Sequence, residues 1–350
     1  MADVLTDTQT QRAIGDLVAQ SALRPVVVDV GASAEAPRVW MPFARHAVYV
    51  GFDPDLREMR ETNGGDFLRA VVLNEAVAPA PGAARFFLTR APQCSSTLRP
   101  DPEVVGNYLG ADRFLVEREG DVAATTLRAV LDRLVLPAVD WLKVDTQGTD
   151  LRVIRSLGDP ALARLLAVDT EPGLRGAYVG EDLFGDVHRH LLGEGFWLAS
   201  ATLKGFPRLR ESTLAELAAR DPAVTREVAL RAIPQSPGWV ECRYLRTIES
   251  LTCGGFGRRE YLLLSAFALC GDQIGFAADV AMACSRKFGS DTDAVFLIDA
   301  ALRRLRSAWA ARLAERRLTH RLRRRLSRML RNVGAVVGAG RASAKRPGAR

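Results

Sequence analysis

Histidine and cysteine are scarce in this chain, with four and five copies in 350 residues. Cys94, Cys242, Cys253, Cys270 and Cys284 form no C-x-x-C pair and no zinc-like spacing with the histidines, which argues against a disulfide framework and a structural metal site. A reducing, cytoplasmic compartment is the expectation. No stretch approaches the ~18 uninterrupted apolar residues that span a bilayer, and the start Met1-Ala2-Asp3 lacks a basic segment leading into an apolar one. Also missing is the dinucleotide fingerprint G-x-G-x-x-G. Gly31-Ala32-Ser33-Ala34-Glu35-Ala36 has one glycine and an acid that would face a pyrophosphate, so NAD is not the expected cofactor.

What is present points to an α/β protein. Hydrophobic residues make up 48% of the chain, enough for one large core or two modest ones. Val26-Val27-Val28-Asp29-Val30 is a β-branched run that opens onto Gly31, and Ala47 to Phe52 is a second run that stops at Asp53-Pro54-Asp55, where a helix can start. Further strands are expected at 68–76, 84–89, 139–145, 165–170, 196–203 and 238–245, with helical periodicity at 126–134, 149–157 and 181–193. This alternation predicts a Rossmann-like, doubly wound, mostly parallel sheet with an antiparallel last strand. A helix-forming insertion from Ser212 to Ala232 reads equally as a lid or as a surface segment.

The expected organisation is an N-terminal helix at 1–22, the α/β domain at 23–247, a boundary at Cys253-Gly254-Gly255-Phe256-Gly257, a helical C-terminal extension at 258–332 and a basic disordered tail at 333–350. Charge is unevenly spread. Residues 301–350 hold 16 of the 48 basic residues and one of the 41 acids, so the other 300 hold 32 and 40. The Arg-rich helix at 299–332, with Leu302, Leu305, Trp309 and Leu313 at helical spacing, suits peripheral contact with the inner face of a membrane or with an acidic partner protein. It lacks the interleaved aromatics of a nucleic-acid surface.

In an open parallel sheet, ligands sit at the carboxyl ends of the strands where the order reverses. Asp29 with Gly31, then Asp53, then Asp145 fall at three such ends. Gly31 lets the backbone approach a ligand, and an acid about twenty residues further on suits the ribose hydroxyls of an adenosine cofactor. Lys143 and Asp145, two apart on a strand, point to the same side, and burying them has a cost unless they are partnered. Glu171 ends another strand before Pro172. His188 and His190, two apart on a helix, face different sides and are poorly placed to share one metal ion.

Four blocks, Val28-Asp29-Val30-Gly31-Ala32, Gly51-Phe52-Asp53-Pro54, Thr125-Thr126-Leu127 and Asp140 to Asp150, together resemble the FkbM family of methyltransferases over roughly residues 24–205. The resemblance implies a class I methyltransferase fold with S-adenosylmethionine as cofactor. It places Asp29, Gly31 and Ala32 at the cofactor's amino-acid portion, Asp53 at its ribose, and Lys143 and Asp145 near the reacting centre. It also implies O-methylation of a hydroxyl on a small-molecule or glycan acceptor: a sugar, glycolipid or natural product. The acceptor proton would leave to Asp145 or to a histidine, or a divalent ion held by Asp145 and Glu171 would lower the hydroxyl's pKa. The polar segment Gln93-Cys94-Ser95-Ser96-Thr97 resembles the family's serine-containing block and reads as acceptor contact or plain loop. Two residues depart from the family pattern: Glu35 where a second glycine is usual, and Gln147 where Glu is usual. With the appended helices they motivate a rival reading, a domain without turnover that serves as a scaffold, and cofactor binding separates the two.

Overall fold

The computed structural model describes residues 8–32, 35–55, 57, 66–289 and 291–316. Its centre is a seven-stranded sheet: β1 (Val26–Val30), β2 (Val48–Phe52), β3 (Arg69–Leu73), β7 (Trp141–Val144), β8 (Ala167–Thr170), β9 (Phe196–Pro207) and β10 (Gln235–Arg246), in the order β3-β2-β1-β7-β8-β10-β9. The neighbours from β3 to β8 are parallel, and β10 runs antiparallel to both β8 and β9. Every residue of β1 is buried, as the continuous β-branched run requires of a strand covered on both faces. Strand order reverses between β1 and β7, the expected ligand position in such a sheet.

One face of the sheet packs on helices α3 (Leu127–Leu134), α4 (Asp150–Arg155) and α6 (Phe184–Gly193), through Val28, Val30, Leu142, Val144 and Val168 against Leu131, Ile154 and Leu191. The other face carries Trp141, whose ring lies 6.1 Å from Trp40 and 4.9 Å from Phe267. This second face also holds a row of alternating charge at one register: Asp29 on β1 lies beside Lys143 on β7, then Asp169 on β8, then Arg243 on β10. Arg243 forms a two-pronged pair with Asp169 at 2.7 and 2.8 Å and stacks over Trp141, and Lys143 donates to Asp29 at 3.0 Å. Alternation satisfies buried charges that would otherwise be too costly to desolvate.

Phe267 belongs to α10 (Arg258–Cys270), and this corrects the expected boundary at residues 253–257. The chain divides into compact units at 299/300 instead, so α9 (Ile248–Cys253), α10 and α11 (Ile274–Phe288) belong with the sheet. Ten consecutive residues of α10, Tyr261 to Cys270, are buried, and a helix apolar on all sides is an interior helix. Arg259 clamps it to the amino edge of the sheet with paired bonds of 2.8 Å to Asp140, which also accepts from the Val26 N–H. The N-terminal helix is α1 (Thr8–Gln20). Residues 300–316 of the second unit are helical, with Leu302, Leu305 and Trp309 exposed. The rest of the expected basic helix, the 333–350 tail, and most of the helix expected after Asp53 lie outside the described residues. Among the described residues no helix is long and apolar enough to cross a membrane.

The expected strand at 84–89 exists but belongs to a second sheet, formed by β4 (Ala76–Val77), β6 (Val116–Thr125) and β5 (Gly82–Thr89) in that order. Strand β6 escapes hydrophobic periodicity because most of it is exposed and charged, held by cross-strand pairs such as Arg85–Glu119. The Ser212–Ala232 insertion is two helices, α7 (Glu211–Arg220) and α8 (Arg226–Ala232), broken at Asp221-Pro222. Together with Leu109 they form a small core of their own around Leu214 and Ala229.

Candidate active site

At the reversal point the carboxyl ends of β1, β2 and β7 surround an open cleft of about 680 Å³, open solvent included. Gly31, Asp53, Asp145 and Thr146 form its floor, while Glu75, Val77 and Phe86 from the region of the second sheet close the far side together with Gln93 and Ser95. Four carboxylates, Asp53, Asp55, Glu75 and Asp145, line it, with Asp55 paired to Arg57 at 2.6 Å and Glu75 to Arg133 at 2.9 Å, and among the described lining residues there is no Lys, Arg or His. Such a cleft disfavours a phosphate and favours a cation.

The backbone at Gly31 sets the geometry. With φ at +89° it turns the chain away from β1, and the N–H groups of Gly31 and Ala32 both donate to the Phe52 carbonyl at 2.9 Å. A Cβ at this position would lie 2.2 Å from the Asp145 carbonyl oxygen, so only glycine allows the β1 and β7 ends to approach this closely. Gly31→Ala is expected to lower stability by about 2 kcal/mol or more, measured by urea denaturation, because it adds left-handed strain to a backbone clash.

Asp53 is buried at the end of β2, and its carboxylate accepts from the Asp55 N–H at 2.7 Å. Burial raises its pKa to about 6. The Asp55 hydrogen bond opposes that rise, and the charges of Asp55, Asp29 and Asp145 add to it. Asp145 follows β7, and its carboxylate accepts from Gln147 Nε2 at 2.7 Å. Gln147 sits at φ +55°, and its Oε1 accepts from the Tyr178 hydroxyl at 3.1 Å. The departure to Gln147 therefore has a structural use. An amide can donate to Asp145, whereas a glutamate there would set two carboxylates in contact.

Lys143 and Glu171 stand near Asp145 but outside the cleft lining. Burial works against the charge of Lys143, yet the carboxylates of Asp29 and Asp145 outweigh it and hold the ammonium firmly protonated. Burial and the nearby Asp145 push the pKa of Glu171 up, against the pull of Lys143. Asp29 and Ala32, expected at the cofactor, are buried behind the cleft wall. Asp29 is bonded to Lys143 and, at 3.3 Å, to the Tyr49 hydroxyl. Of the seven expected site residues, the structure thus brings Gly31, Asp53 and Asp145 to the cleft.

Other expectations resolve differently. His188 bonds the Tyr244 hydroxyl at 3.0 Å and stacks on Phe184, and neither it nor His190 lines the cleft. Glu35 is exposed. Ser96 anchors the turn after β7 through a 2.7 Å bond to the Gln147 carbonyl, while Gln93, Ser95 and Thr97 face the cleft. Sequence reasoning missed Asp150. It is buried at the start of α4, accepts from the Thr146 hydroxyl at 2.8 Å and the Thr170 hydroxyl at 2.6 Å, and accepts from the Glu171 N–H at 2.9 Å. It ties the β7 and β8 ends together, and an acid beginning a helix after a glycine turn was its only local signal. Among the described residues no group of three or more His, Cys, Asp or Glu is placed to hold a metal ion.

No protein-family model matches the chain, and no curated protein matches it.

Proposed function

We propose that the chain is an S-adenosylmethionine-dependent O-methyltransferase. The observation that carries the reading is the carboxylate-lined cleft at the strand-order reversal, with Gly31 as a backbone cradle and Asp53 at the end of β2. A cofactor that is cationic, lacks phosphate and contains ribose fits that donor set. The mostly parallel sheet with its antiparallel β10 is compatible with a Rossmann-like fold, which supports the reading. S-adenosylmethionine supplies an electrophilic methyl group when bound. Asp53 is placed to accept from ribose hydroxyls, and Gly31 leaves room for close backbone approach. Asp145, oriented by Gln147 at the end of β7, is the cleft carboxylate assigned to take the acceptor's proton, since Glu171 and both α6 histidines lie outside the cleft lining. The enzyme's main contribution is to hold acceptor oxygen and methyl group in line.

Calorimetric titration with S-adenosylmethionine and S-adenosylhomocysteine tests this. Wild type should bind both, and Asp53→Asn should weaken binding about 100-fold by loss of charge-assisted bonds. Folded wild-type protein that binds neither would favour a scaffold without turnover. The same variant has a signature in stability. Because the folded-state pKa of Asp53 is raised from 3.8 to about 6, its ionised form costs stability above that pH, and the cost disappears as pH falls from 6 toward 3.8. Asp53→Asn is therefore expected to be more stable than wild type by about 1–3 kcal/mol at pH 7, the gain shrinking through that window.

A further inference from the structure

Beside the cleft, above the carboxyl end of β8 and the amino end of β10, lies a second group of residues that the cofactor reading does not use. Arg175, in the loop after β8, places its guanidinium 3.4 Å from the centre of the Tyr108 ring. Arg208, just past β9, approaches the same ring and donates to its hydroxyl at 3.1 Å. The backbone of Gly238 makes room for Arg175: a Cβ there would lie 3.0 Å from its Nη2. Two guanidinium groups thus converge on one tyrosine, and neither forms an ion pair among the described residues. The Nε and Nη1 atoms of Arg175 are buried and have no hydrogen-bond partner.

Buried charged donors without acceptors are costly in a finished fold. Two like charges held on one ring, Arg175 with donors unspent and Arg208 exposed beside it, form the half of a site that an oxyanion completes, and the planar fork of arginine suits a carboxylate or phosphate. Tyr108 registers the same field. Burial raises its pKa, but Arg175 and Arg208 more than reverse this and leave it below the ordinary tyrosine value. The loop that carries Arg175 also carries Tyr178, whose hydroxyl holds Gln147 and, through it, Asp145. One loop therefore links the cationic pair to the carboxylate at the cleft.

We propose that Arg175 and Arg208 bind an oxyanion of the acceptor, so that the substrate is a hydroxyl compound bearing a carboxylate or a phosphate. As an acceptor subsite this rests on the methyl-transfer reading; as an anion site it does not. The test follows the thermal unfolding midpoint of the full chain against inorganic phosphate and, separately, acetate, at ionic strength fixed with chloride. Wild type, Arg175→Gln and Arg208→Gln are compared, and S-adenosylmethionine calorimetry is run on each. The wild-type midpoint should rise with one of the two anions by ligand linkage, and either substitution should raise the concentration needed about tenfold while S-adenosylmethionine binding stays unchanged. A response to phosphate and not acetate assigns a phosphorylated acceptor, and the reverse a carboxylate. No wild-type response to either anion, or an equal response in the folded variants, overturns the proposal. If Arg175→Gln does not fold, Arg208→Gln decides by the same criterion. Anion binding without S-adenosylmethionine binding would leave this site standing and remove the methyl-transfer reading; the opposite pattern would remove this site alone.

Discussion

Asp145→Asn is expected to lower turnover by about 10²- to 10⁴-fold, the usual effect of removing a general base, while S-adenosylmethionine affinity changes no more than about a few-fold. Asparagine keeps the shape of the side chain and can still bond Gln147, whose amide lies 2.7 Å from the carboxylate, so the turn after β7 should survive. The difference falls on the proton. Once an acceptor is in hand, single-turnover kinetics beside calorimetry separate the two quantities. Loss of cofactor binding would make Asp145 a binding residue, and full turnover with intact binding would remove it from the mechanism. Gln147→Glu is the companion variant. Two carboxylates in contact favour a shared proton, so the activity profile should move to higher pH.

The largest stability effect is expected from Arg243→Met, which leaves Asp169 as an unpaired charge in the interior. Arg243 and Asp169 are 7% and 1% exposed and share two bonds of 2.7 and 2.8 Å, so solvent cannot compensate for the loss. A loss of about 3–5 kcal/mol in urea denaturation follows, a large share of the 5–15 kcal/mol typical of a folded domain. Arg243→Met combined with Asp169→Leu should recover most of it, because replacing both members of a buried pair with apolar groups is close to neutral. If the double variant is no more stable than the single one, the row from Asp29 to Arg243 contributes through position and packing more than through charge pairing.

These two predictions draw on residues of differing visibility. Asp145 was visible as one of three acids at strand ends, because a short apolar strand and the residue that ends it can be read from neighbouring positions. Asp169 lay inside an expected strand, yet its partner was not visible. Arg243 is 74 residues away and meets it only because β10 inserts antiparallel beside β8. Lys143 shows the same limit. Its burial cost was legible from its place in an apolar strand, but that Asp29 on the neighbouring strand repays it, and that Asp29 thereby turns away from the cleft, depends on the pairing register of β1 and β7.

By itself the sequence determined the alternation of strands and helices, the glycine turn after β1, and the placing of acids at the ends of β2 and β7. These follow from local periodicity and from the conformations open to single residues. The tertiary structure alone decided that α10 is an interior helix rather than the start of an extension, and that a second sheet supplies the far wall of the cleft. It alone decided that burial raises the pKa of Glu171 and that Arg175 and Arg208 meet at Tyr108. Each of these depends on burial or on contact between distant segments, and desolvation and charge interactions take their size from the neighbours that folding brings together.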